Sequence, residues 1–268
     1  MEEKNLTVVE HIDEIRKRLM VIVVFFAVAV TGSFFLAKPV IKFLQLQYTN
    51  EIQQTVIGQV GDNPLHSFAI LDPIMIYLKV IIFISIVFIS PVIMYQLWSF
   101  VSPGLHEIER RATRNYIPFT FLLFVAGIAF SYFVLLPYVM KFMMNLSGEL
   151  GITMTIGIND YFTFLFQIMI PFGIVFQLPV VMLFLTRLGI VNPTTLVKIR
   201  KYAYFVLFVI AAFITPPDIV SHLFVTVPLF LLYEVSIFIS RFGYRKFLKS
   251  EQQRQIEEQE QKQQSEEN

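Results

Sequence analysis

Long uncharged runs separated by short clusters of charge set the pattern of this chain. No charged side chain falls between residues 80 and 101, or between 202 and 217. A bilayer core is crossed by roughly 20 apolar residues in a helix, and backbone facing lipid must be paired within its own segment. The roughly ten-residue alternating segments of a membrane β-barrel are absent. The pattern therefore predicts an all-α integral membrane protein with six spans, near residues 19–36, 73–100, 116–136, 161–185, 202–214 and 222–240. Ahead of the first span, Thr7 and Glu10 have capping-box spacing, and Val8, Ile12, Ile15 and Leu19 recur at helical intervals. Asp13, Glu14, Arg16, Lys17 and Arg18 take the opposite face, which reads as an interfacial amphipathic helix.

The breaks are as informative as the runs. Residues 38–71 are less apolar and contain Pro39, Gly58, Gly61 and Pro64; a short helix is expected from Pro39 through Val40, Ile41, Phe43 and Leu44. Residues 101–115 form a short polar loop, and 137–160 a mixed connection with Gly148, Gly151 and Gly157. Pro91 should kink span two, and span four contains Pro171, Gln177 and Pro179. Span five would reach only about 20 Å at the helical rise, well below the roughly 30 Å hydrocarbon core. Thr215, Pro216, Pro217 and Asp218 break the chain before span six, with Asp218 placed to cap the next helix. Three regions are expected: residues 1–18 as a cytoplasmic amphipathic helix, 19–240 as the transmembrane domain, and 241–268 as a cytoplasmic Gln/Glu/Lys tail, disordered or a frayed helix.

Composition agrees with this picture. Of 268 residues, 56% are hydrophobic and only 15% charged, with a mean hydropathy of +0.65. The net charge of +1 matters less than where the charges lie. Seventeen Lys and Arg flank one side of the predicted spans and three the other, with Lys79 near the end of span two. Positive residues collect on the cytoplasmic side, so both termini are expected there. The absence of cysteine leaves no disulfide, haem-attachment or thiol chemistry. The first eighteen residues are strongly polar and the apolar run after them is too long for a signal-peptide core.

No catalytic constellation stands out. His11, His66, His106 and His222 have no partner at metal-ligand spacing, and there is no zinc-protease, nucleophile-elbow or phosphate-loop motif. Neither cofactor nor metal is expected, and no enzyme activity. A secondary transporter would place charges mid-span and repeat its halves, whereas only Lys79 and Glu234 come close and no repeat is visible. Two acids remain: Glu14, among basic residues of the first helix, and Glu109, just before Arg110 and Arg111. They either balance their neighbours, Glu109 complementing a helix N-terminus, or present carboxylates to a cationic ligand, for which the planar fork of arginine is the natural partner.

Four stretches bear on that choice. His11-Ile-Asp-Glu-Ile-Arg-Lys-Arg-Leu19 is one; Ser90-Pro-Val-Ile-Met-Tyr-Gln-Leu-Trp-Ser-Phe-Val-Ser-Pro-Gly-Leu105 followed by Glu109-Arg110-Arg111 is the second. Thr215-Pro-Pro-Asp218 and Phe238-Ile-Ser-Arg-Phe242 complete the set, in order along the chain. Together they resemble the TatC family, the polytopic subunit of the twin-arginine protein translocase. The resemblance implies a receptor for folded cargo whose signal peptides carry paired arginines, an address read by a receptor. It implies recruitment of small single-span TatA-type or TatB-type subunits, assembly as an oligomer in the cytoplasmic membrane, transport driven by the proton motive force, and no nucleic-acid partner. It assigns Glu14 and Glu109 to the signal arginines, and Arg16, Gln96 and Phe100 to shaping that site. Pro39 and Asp218 match transport-cycle or structural positions. Gln177 stands where many relatives carry glutamate, and His222 where glutamine is common; intramembrane polar or partner contacts are implied for both.

Overall fold

The computed structural model describes residues 8–55, 65–101, 116–152, 155–187, 189–215 and 219–266. Among them all regular elements are helices, beside one isolated parallel bridge between His66 and Gly157. Among the described residues, five helical stretches are long and apolar enough to cross a membrane: Ile12–Leu46, Asp72–Ser99, Ile117–Glu149, Ile158–Arg187 and Ile219–Gln253. The chain is thus a multi-pass membrane protein. It divides into two compact units, Met1–Ile174 and Val175–Asn268.

The first unit begins with α1, Val8–Thr55. The expected interfacial helix, the first span and the helix foreseen after Pro39 are one continuous element of 48 residues, about 72 Å at the helical rise. Pro39 lies inside it. A proline interrupts one backbone hydrogen bond, and membrane helices tolerate it when neighbours supply donors. Apart from the Phe35 carbonyl, which Pro39 deprives of its helical N–H, tyrosines from three other elements donate to carbonyls along the C-terminal half of α1. Tyr77 of α2 (Asp72–Val101) donates to the Phe34 carbonyl at 2.8 Å. Tyr132, in a π-helical segment Ser131–Leu135, donates to that of Phe43 at 2.9 Å, and Tyr161 to that of Leu44 at 2.7 Å. Ser33 and Ala37 are fully buried where α1 meets its neighbours, and the Ser33 hydroxyl lies 3.1 Å from that of Ser85 in α2.

Helix α2 starts where buried Asp72 accepts the backbone N–H groups of Phe68 and Ala69 at 3.0 and 2.9 Å. After it, α3 (Tyr116–Phe130), the π segment and α4 (Leu136–Glu149) form one run. Pro137 cannot donate to the carbonyl one turn back and its ring crowds that carbonyl; the run widens there, with the Leu136 N–H reaching the Ser131 carbonyl. The connection expected at 137–160 is therefore helical as far as Glu149, and Gly151, at φ +66, closes it. Positive φ costs glycine nothing. Helix α5 (Ile158–Val175) packs Phe166 on Phe83 of α2, ring centroids 4.7 Å apart. Gly173 lets α5 approach Phe124 of α3, where a Cβ would sit 2.8 Å from the ring.

In the second unit, α6 (Leu178–Arg187) follows a turn at Phe176–Gln177, so predicted span four is two helices where one was expected. Pro179 has no N–H for the Val175 carbonyl, which weakens continuity at that point. A short helix, α7 (Pro193–Lys198), begins with Pro193, a residue suited to a first helical turn. Helix α8 (Arg200–Ile214) has 15 residues, about 22 Å, as the short fifth span was expected to have. Helix α9 runs from Ile219 to Glu266, so the polar tail continues the last span as a helix. Gln, Glu, Lys and Arg are good helix formers, and neither Gly nor Pro follows Gly243. Val225, Leu229, Tyr233 and Ile237 form its buried stripe at four-residue spacing. Tyr233 donates to the Leu196 carbonyl of α7 at 3.0 Å. Arg200 meets both oxygens of Glu234, at 2.9 Å each, tying α8 to α9.

Candidate functional site

The chemistry foreseen at the N-terminal arm takes shape on the first turns of α1. Residues four apart lie one above the other on a helix, and Glu14 and Arg18 do so: the Arg18 guanidinium is ion-paired through Nη2 to Oε1 of Glu14. Its other terminal nitrogen, Nη1, donates to the backbone carbonyl of Gln96 at 2.9 Å, near the C-terminal end of α2. The side chains of Glu14 and Arg18 are 27% and 17% exposed, between surface and core. Arg18 thus joins two expected site residues, Glu14 and Gln96, that are 82 positions apart in the chain. The contact uses the Gln96 backbone, so a different side chain there would leave it in place.

Arg16 points elsewhere: it is 71% exposed and lies 3.9 Å from Asp13. Ile12, Ile15 and Leu19 are exposed within the chain, as an apolar face turned to lipid would be. The backbone of Phe100 belongs to α2, while its side chain, all of Glu109 and Asp218, and the capping residue Thr7 lie outside the described residues. Pro39 is exposed on α1, about 37 Å along the helix from Glu14 at 1.5 Å per residue.

Gln177 and His222 belong to the second unit. Gln177 is buried in the turn between α5 and α6, where its carbonyl accepts the N–H groups of Val180 and Val181 at 3.0 Å. His222 places Nδ1 3.4 Å from the Thr215 hydroxyl and its ring edge-on to Phe208, centroids 4.3 Å apart. His222 therefore packs α9 against the end of α8. Sequence reasoning missed the role of Arg18, although its spacing from Glu14 was available as a signal. It also left Lys79 unassigned; the ammonium donates to Asn159 Oδ1 and Thr163 Oγ1, both at 2.7 Å, joining α2 to α5.

Residues 10–228 match the family described as "Sec-independent protein translocase protein (TatC)". The chain belongs to the TatC family. Among curated relatives, a "Sec-independent protein translocase protein TatC" of Halalkalibacterium halodurans is 50% identical over 257 residues, covering 96% of this chain and 98% of the relative. The TatCy protein of Bacillus subtilis is 52% identical over 250 residues, 93% and 94% of the two chains. A solved structure titled "Crystal Structure of Twin Arginine Translocase Receptor- TatC in DDM" superposes with a TM-score of 0.75 at 33% identity, covering 86% of this chain and 99% of that one. As a TatC-family member the chain is a protein-translocase component of the membrane, a transport protein and not an enzyme.

Proposed function

We propose that this chain is the receptor subunit of a twin-arginine translocase, which binds the paired arginines of a signal peptide with Glu14 and Glu109 and passes folded cargo across the cytoplasmic membrane. The observation that carries this reading is Glu14 itself: a half-buried carboxylate at the start of α1, already engaged with a guanidinium and set against the end of α2. A carboxylate in that setting grips an arginine fork better than a fully solvated one, because the low local dielectric strengthens a charge-assisted hydrogen bond. Arg16, Gln96 and Phe100 shape the rim of the site, and the apolar core of the signal then lies along the helices.

Six crossings complete the picture, the five long helical stretches together with short α8. An even number puts both ends on one side, and the excess of Lys and Arg flanking that side makes it cytoplasmic. Residues 1–18 then form the cytoplasmic arm, 19–240 the membrane domain and 241–268 the cytoplasmic extension. Small single-span TatA-type or TatB-type subunits are recruited to an oligomer of this chain, and the proton motive force drives transport. Pro39 and Asp218 serve the transport cycle on the outer side; Gln177 and His222 make polar contacts within the membrane.

Photo-crosslinking of a twin-arginine signal peptide to membranes carrying E14A/E109A tests the site. Each lost charge-assisted hydrogen bond is worth about 1.5–3 kcal/mol, so crosslinking should fall at least tenfold. Undiminished crosslinking would overturn the assignment.

A further inference from the structure

Glu14 is not vacant. The group on its Oε1 is a guanidinium, from Arg18 one turn along the same helix, and that guanidinium is also bonded to the Gln96 carbonyl at 2.9 Å. This is the chemical group that the proposed ligand brings.

We propose that Arg18 is a resident competitor: it occupies the Glu14 carboxylate until a signal arginine displaces it, and so sets the threshold a signal must pass. The inference rests on the assignment of Glu14 as a signal-binding carboxylate. Glutamate followed by a cation at i+4 is the favourable order on a helix, so the internal pair forms without any rearrangement of α1. The pair is open to water on part of its surface, so a second guanidinium can reach the carboxylate and replace the first without leaving it unpaired. A fully buried pair would resist exchange, because opening it strands a charge. The second anchor matters equally. A guanidinium has five N–H donors, so Arg18 can release Glu14 while still bonded to Gln96, and it need not re-enter solvent. A lone cation arriving from solution merely replaces one guanidinium with another and gains almost nothing. A ligand that also engages a second carboxylate gains the difference.

The test is binding of a fluorescent twin-arginine signal peptide to the full chain in nanodiscs at constant ionic strength, for the wild type, R18Q, R18M, E14Q and E14Q/R18Q, with thermal melts confirming that each is folded. Removing the competitor should tighten binding about two- to fivefold in both R18Q and R18M (roughly 0.5 to 1 kcal/mol at 1.4 kcal/mol per tenfold). E14Q should weaken binding, and the double variant should match E14Q, because no contested carboxylate remains. R18Q and R18M binding as the wild type does, or more weakly, while E14Q is weakened, overturns the competition and leaves the receptor site standing. Unchanged binding in E14Q would instead remove the site, and the competitor with it.

Discussion

Gly243 offers the sharpest quantitative test of the second unit. It lies on α9 against α6, and a Cβ there would sit 2.8 Å from Leu183 Cδ1, 2.8 Å from Thr186 Oγ1 and 3.0 Å from the Leu183 carbonyl oxygen. Two opposing effects follow from G243A. Replacing Gly by Ala inside a helix favours the helix by about 1 kcal/mol. Forcing a methyl group into a packed contact costs about 1–3 kcal/mol. The leucine methyl can rotate aside, but the Thr186 hydroxyl is held by the carbonyls of Met182 and Leu183 at 2.8 and 2.9 Å, and the Leu183 carbonyl is backbone. The packing term should therefore win, leaving a net loss of up to about 2 kcal/mol. Gly32, inside α1, has nothing within 4 Å of its would-be Cβ, so G32A keeps the propensity gain without the clash. The two variants should differ by about 1–3 kcal/mol, which at about 2–4 °C per kcal/mol places the Tm of G243A roughly 2–12 °C below that of G32A. Thermal unfolding of both in detergent, followed by size-exclusion fluorescence, reads this directly. A G243A protein as stable as G32A would refute the close approach of α6 and α9.

Two further outcomes follow. Y161F removes the hydroxyl that a fully packed Tyr161 donates to the Leu44 carbonyl, which should cost about 0.5–1.5 kcal/mol, visible as a lower Tm; an unchanged melt would mean that this hydroxyl does not hold α1. With α8 crossing the membrane as proposed, its shortness should thin the surrounding bilayer by mismatch, so four leucines added to it should reduce cargo export while signal-peptide binding persists, and unaltered export would count against any role for a thinned bilayer.

Much of this architecture was legible in the residues. Uncharged runs located the membrane helices, and the shortness of α8 could be counted directly. The boundaries were harder, because punctuation by glycine and proline reads differently in lipid. Gly148 looked like a loop residue, yet α4 passes through it and stops only near Gly151, whose positive φ does the terminating. Pro39 looked like a helix start, but α1 carries it in mid-course at the loss of one helical hydrogen bond. The tail from Arg241 was read through its lack of apolar residues, which bears on packing; helix propensity and the close seat of Gly243 decided its structure. At the site, Glu14 could be singled out by charge and resemblance. The spacing of Arg18 pointed to Glu14, but its second partner could not be read, because it is a backbone carbonyl 78 positions away, and every residue has one.

The same anonymity of backbone acceptors has a consequence for α1 as a whole. The tyrosines that fasten it grasp carbonyls of Phe34, Phe43 and Leu44, groups that would be present whatever side chains stood there. They hold the helix firmly without saying which residue they hold. Alignment along the axis must come from side chains that fit in one place only: Ser33 and Ala37, small enough to disappear at the contact, and Leu44. Strength and address are thus written in different residues. Enlarging Ala37 would slide or rotate α1 against an unchanged set of fasteners, carrying Glu14 with it.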